Sequence, residues 1–150
     1  MKRRSAPKRA KRTPPPEFPT IFVDEGVGTK IVPAALRAAG YSVEVLEDHL
    51  ARSTEDVDAL AFCGQRGWIF LTKDLSISRN PAERAALLAA GVHAVFFSKR
   101  GATGTEMVNA LVPAFKRLMR RFTESNSPIH VVVRLDGRIE TLELDPAAKD

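Results

Sequence analysis

Four short runs rich in β-branched and aromatic residues alternate with longer segments whose apolar residues recur at helical spacing. That alternation limits the chain to a parallel sheet covered by helices. The runs are Pro19 to Asp24, Tyr41 to Leu46, Trp68 to Thr72 and Val92 to Phe97. Each intervening segment is long enough for the right-handed crossover that parallel strands require. The predicted fold class is therefore α/β, a three-layer α/β/α arrangement with a mainly parallel sheet. A different pattern closes the chain. Ile129 to Arg134 and Arg138 to Leu144 flank Asp136-Gly137, which predicts a C-terminal β-hairpin with a two-residue turn.

Punctuating residues locate the helices. Ile31, Val32, Ala35, Leu36 and Ala39 mark one face of a first helix, with Pro33 tolerated in its first turn and Gly40 stopping it. Ser53-Thr54-Glu55-Asp56 has capping-box spacing and predicts a second helix through Val57, Leu60, Ala61 and Gly64. Asn80-Pro81-Ala82-Glu83 opens a third, with Asn as cap, Pro first and Glu third, and Gly91 ends it. Thr103 to Glu106 caps a long fourth helix with the apolar stripe Met107, Leu111, Phe115, Leu118 and Phe122. Pro113 is expected to bend it.

Charge is unevenly spread. The chain of 150 residues has a net charge of +5, which by itself suggests a nucleic-acid binder. Seven of the first twelve residues are basic, whereas from Pro19 onward 16 bases face 17 acids. The excess therefore sits in residues 1–18, a segment rich in proline and poor in apolar residues that is expected to be disordered. Such a tail serves either as a solubilising arm, or an upstream start, or as an arm for RNA, a membrane or a partner. Residues 19–145 form the expected single domain, with the hairpin at 129–144 and a short tail at 146–150. A single Cys63 makes no internal disulfide and points to a reducing, cytoplasmic setting. No run of eighteen apolar residues offers a membrane span.

In an open parallel sheet, ligands bind beyond the carboxyl ends of the strands, near the point where strand order reverses. The acids of this chain collect there. Asp24 and Glu25 end the first strand, Asp74 ends the third, and Asp56 and Asp58 stand in the first turn of the helix feeding the third. Converging carboxylates raise each other's pKa unless a cation sits among them. Hard oxygen donors in this number suit Mg2+ or Mn2+. The chemistry that follows is metal-assisted phosphodiester hydrolysis, in which the ion acidifies and orients a water and stabilises the leaving oxygen. Each acid also has a structural alternative. Asp56 completes a capping box with Ser53, Asp58 is a solvated helix residue, and Asp74 caps a turn. Asp24 has no obvious structural task.

Phe22-Val-Asp-Glu25, Asp56-Val-Asp58, Gly64-Gln-Arg-Gly-Trp68, Leu71-Thr-Lys-Asp74 and Asn80-Pro-Ala-Glu83-Arg-Ala together resemble the PIN-like domains grouped with VapC-type toxins of toxin–antitoxin pairs. The resemblance covers Pro19 to Phe97 well and the remainder loosely. It implies a Mg2+- or Mn2+-dependent endoribonuclease whose acidic cluster maps onto Asp24, Asp56 and Asp74, with Glu25, Asp58 and Asp48 as supporting candidates. It also implies an RNA substrate, an antitoxin partner and a homodimer. One feature departs from the pattern. Where PIN nucleases commonly carry a further acid after the fourth strand, this chain has Ser98-Lys99-Arg100, and Glu106 is the next carboxylate. Either Glu106 reaches back, or three acids hold one metal, or catalysis is weakened.

Lys99 and Arg100 are candidate contacts to RNA phosphates, as are Lys116, Arg117, Arg120 and Arg121 on the polar face of the long helix. His49 is either a surface residue or a substrate contact, and His93 and His130 read as satisfied structural residues. Trp68 reads as core. Cys63 alone supplies no zinc site. Two other readings compete with the ribonuclease: a PIN-like module that only binds RNA or protein, and a receiver-like phosphoacceptor domain built on Asp24, Glu25, Asp74 and Lys99.

Overall fold

A computed structural model describes residues 18–144, and the tails expected at 1–18 and 146–150 lie outside those residues except for Phe18. Six strands form one sheet in the order β2-β1-β3-β4-β5-β6. They are β1 (Ile21–Val23), β2 (Val43–Val45), β3 (Ile69–Thr72), β4 (Ala94–Phe97), β5 (His130–Val133) and β6 (Ile139–Leu142). All neighbours pair in parallel except β5 and β6, the antiparallel hairpin. Helices supply the crossovers: α1 (Ile31–Ala38), α2 (Asp56–Arg66), the short α3 (Ser76–Arg79) followed by α4 (Pro81–Ala90), and α5 (Gly104–Glu124).

Alternate residues of each strand point to opposite faces, and each face has its own core. Ile21, Val23, Ile69, Leu71, Val95 and Phe97 pack with α1 and α5. Phe22, Phe70, Phe96 and Val132 pack with α2 and α4. The result is the three-layer α/β/α arrangement expected from the alternation. Full burial of one such Phe or Leu contributes about 1.5–3 kcal/mol, so the sheet centre anchors the positions of its strand ends. Cys63 lies in the second core, where its Sγ donates to the Trp68 carbonyl at 3.2 Å and burial pushes the thiol up to about 12. Among the described residues, no helix is long and apolar enough to cross a membrane.

Local signals differ in how they fare. Asn80 caps α4 by accepting the Ala82 and Glu83 N–H groups, and Thr103 with Glu106 forms a complete capping box on α5. Pro113 does not end α5, which continues through it for 21 residues. The capping box expected at Ser53 does not form. Thr54 N–H instead closes a turn on the Ala51 carbonyl, and α2 begins at Asp56 behind a Glu55 whose side chain makes no capping bond. Asp56 is thereby left free of that structural task. The hairpin turn is also one residue longer than expected. Arg134 N–H donates to the Arg138 carbonyl at 2.8 Å, so Leu135-Asp136-Gly137 is the loop, with Gly137 at φ 90°. Phe18, assigned by composition to the end of the tail, packs its ring 6.1 Å from Tyr41.

Helices α2 and α4 touch at Gly64, where an added Cβ would stand 2.5 Å from the Ala90 carbonyl oxygen. A backbone atom cannot rotate away as a side chain can. Gly64→Ala is therefore expected to cost about 1–3 kcal/mol. Thermal unfolding followed by circular dichroism should show a clearly lower midpoint, and an unchanged midpoint would mean that the two helices part freely.

Candidate active site at the carboxyl ends of β1 and β3

The chain leaves β1 for β2 on one side and returns to β3 on the other, so the carboxyl ends of β1 and β3 frame the crevice in which α/β sheets bind ligands. Asp24 directly follows β1, and its backbone N–H donates to the Leu71 carbonyl of β3 at 2.9 Å. Two bonds fix its carboxylate. Glu25 N–H donates to Oδ1 at 2.9 Å, and Thr72 Oγ1 donates to Oδ2 at 2.8 Å. Thr72 is wholly buried, and its Oγ1 also accepts the Asp74 N–H at 3.1 Å, so one hydroxyl ties the two strand ends together. Asp74 both caps a turn and stands at the crevice. Its Oδ1 accepts the N–H and Oγ of Ser76 at 3.0 and 2.5 Å, which begins α3, a helix the sequence patterns do not predict.

Burial pushes the Asp24 carboxyl above its ordinary value against the lowering effect of the Thr72 bond, and the charges of Asp56 and Asp74 push it further up. Asp56, the first residue of α2, is pushed up to about 6, first by burial, then by a hydrogen bond and charge from Glu83, and then by Asp74 and Glu55. The three aspartates singled out in the sequence thus stand within electrostatic reach of one another. Glu83 joins them. In the sequence, Glu83 is accounted for by the cap of α4. The signal that reveals it is topological: α2 and α4 cross on the same face between parallel strands, so both start at the crevice edge.

Among the described residues, no three His, Cys, Asp or Glu side chains lie close enough together to hold a metal ion. The close cluster expected from the sequence is therefore not preassembled among the described residues. In kind, the donors fit a hard divalent cation. All are carboxylates, and those of Asp24 and Asp56 are held high first by burial and then by neighbours of like charge.

The supporting candidates separate. Glu25 lies 3.6 Å from Arg52, which is also 3.7 Å from Glu47. Asp58 is exposed on α2, and Asp48 is exposed in the turn after β2. Glu106 does not reach back to the crevice, since its Oε1 accepts the Thr103 N–H at 2.9 Å. Arg100 lines a cavity shared with Asp74, whereas Lys99 lines a separate hollow with Arg134 and Arg138. Helix α5 starts at the crevice edge and runs back across the sheet. Lys116, Arg117, Arg120 and Arg121 lie toward its far end, on the order of 20 Å away.

His49 lies at the surface, where it bonds Glu44 at 2.6 Å and rests against Phe22, Phe62 and Trp68. Trp68 is only half-buried: it packs on Phe22 and Phe62 at the margin of the second core rather than inside it. His93 spans the Phe122 carbonyl and the Ile129 N–H at 2.8 and 2.9 Å. His130 departs from expectation. It is buried, and its Nε2 has no hydrogen-bond partner among the described residues.

Comparison with known proteins agrees with this fold. A family model described as a PIN like domain matches residues 19–99. A Mycobacterium tuberculosis (strain ATCC 25618 / H37Rv) protein named as a candidate ribonuclease, VapC45, is 37% identical over 75 residues, which cover 47% of this chain and 54% of that protein. The match thus spans about half the relative's length. No solved structure matches the chain significantly.

Proposed function

The chain belongs to the PIN-like domain family, and on that premise we propose that it is a Mg2+- or Mn2+-dependent endoribonuclease of VapC type, the toxin of a toxin–antitoxin pair. The observation that supports this reading is that Asp24, Asp56 and Asp74, beside the switch point of the sheet, stand within electrostatic reach of one another. Those three aspartates would hold the ion, with Glu25 and Asp58 beside them. A divalent ion there supplies acidification of a water and stabilisation of charge on the leaving oxygen. The protein's own part is orientation. Glu25 N–H and Thr72 Oγ1 hold both oxygens of Asp24, and Ser76 holds Asp74, so neither carboxylate has to be ordered when RNA arrives. Burial and the neighbouring Glu83 hold the Asp56 carboxyl up at about 6. Lys99 and Arg100, at the same edge, are phosphate contacts. The proposed partners are RNA and a neutralising antitoxin protein, in a cytoplasmic setting.

A second reading, an RNA-binding domain without cleavage, is favoured by one observation: no acid follows β4, and Glu106 is committed to its capping box. Incubation of the full chain with RNA, with and without Mn2+, separates the two. The ribonuclease reading expects cleavage that chelation of the metal stops. Tight RNA binding with no cleavage under any metal would replace it with the binding reading.

A further inference from the structure

A polar cavity of about 320 Å³ adjoins the acidic crevice, lined by Lys73, Asp74, Leu75, Ser76, Arg79, Ser98 and Arg100. Its walls come from the turn after β3, the end of α3 and the loop after β4, which the parallel β3–β4 pairing sets side by side. Among the cations at this end of the sheet, Arg52 pairs with Glu25 and Glu47, Arg134 with Glu140, and Arg138 with Asp136. Lys73, Arg79 and Arg100 have none among the described residues. Three cations thus share one hollow with a single carboxylate, whose Oδ1 is already taken by Ser76.

We propose that this cavity seats an RNA backbone phosphate next to the one being cut, with Lys73, Arg79 and Arg100 as its contacts. The inference rests on the ribonuclease reading and adds the residues that position the substrate. Asp74 belongs to both the crevice and the cavity, so a strand laid across the crevice passes directly over the cations. A crevice of carboxylates repels a polyanion, and an adjoining excess of positive charge offsets that repulsion. Guanidinium forks match phosphate oxygens in pairs, and the Ser98 hydroxyl adds a neutral donor. Leu75 is the one apolar side chain in the lining, which offers little to an acidic peptide that needs an apolar anchor.

The test measures binding of a short single-stranded RNA of mixed sequence to the full chain carrying Asp24→Asn, chosen to hold RNA without cutting it, over a series of salt concentrations. Removing one cation that pairs with a phosphate of a single strand lowers the slope of log K against log salt by about 0.7. Arg79→Ala and Arg100→Ala are each expected to weaken binding several-fold and to lower the slope by that amount. The triple variant with Lys73→Ala lowers it by about 2. Arg79→Lys keeps the charge and is expected to keep the slope, which separates a missing phosphate partner from a failure to fold. An unchanged slope in the triple variant overturns the proposal, as does a slope that falls instead with Arg117→Ala and Arg120→Ala. Failure of the ribonuclease reading is a different result: the chain with all its aspartates intact and Mn2+ present does not cut the same RNA.

Discussion

Asp24→Asn is expected to lower RNA cleavage by at least about 10²-fold while leaving the fold in place. The substitution removes a charge and keeps the shape. Its amide oxygen can accept the Glu25 N–H, and its NH2 can donate to Thr72 Oγ1, whose own hydrogen is free to turn away. The chain also loses a buried carboxyl that Asp56 and Asp74 repel, so no loss of stability is expected. Asp74→Asn should act alike, because an amide oxygen serves Ser76 as the carboxylate does. Cleavage rates, together with circular dichroism of each variant, decide the matter. Undiminished cleavage in both variants would remove the crevice from the reaction.

Asp56→Asn should cost activity and add stability. Its carboxyl titrates at about 6 in the folded chain against 3.8 ordinarily. Between those two values the folded chain binds a proton that the unfolded chain releases. The stability this confers is present near pH 4 and is lost as pH rises through 6. At pH 7 an ionised Asp56 stands beside Glu83 and Asp74, and the Asn variant removes that cost. The undiscounted shift corresponds to about 3 kcal/mol. With Asp56 only partly buried, solvent screening reduces this to about 1 kcal/mol, or about 3 °C in the thermal midpoint. That gain should shrink toward nothing near pH 4. The parent's midpoint should also rise on addition of Mn2+, and the variant's should rise less. No gain at pH 7 would show that Asp56 is not repelled by its neighbours.

The layered architecture was readable because period-2 strands and helix-period segments alternate, and because Asn80-Pro81, Thr103 to Glu106 and the terminal glycines punctuate them without ambiguity. Asp24 and Asp74 were readable for a related reason: an acid ending a buried strand lies at the carboxyl edge wherever that strand sits in the sheet. What depends on strand order was not. Glu83 looks like an ordinary third helical residue until the common face of α2 and α4 is known. The grouping of Lys73 and Arg79 with Arg100 likewise needs the β3–β4 pairing. Short polar motifs misled where two local solutions compete. At Ser53 a turn on Ala51 replaces the capping box, and at Gly137 a longer loop satisfies Arg134 and Arg138 together.

Thr72 and Asp24, joined by one hydrogen bond, are separated by 48 residues of chain. When β1, α1 and β2 have left the ribosome, they can pair and pack, but no acidic crevice exists until β3 arrives, and Glu83 follows later still. At about 5–20 residues per second of synthesis, that ordering imposes a latency of a few seconds on each nascent molecule. On the toxin reading proposed above, that delay is the interval open to a neutralising protein for binding a half-made target.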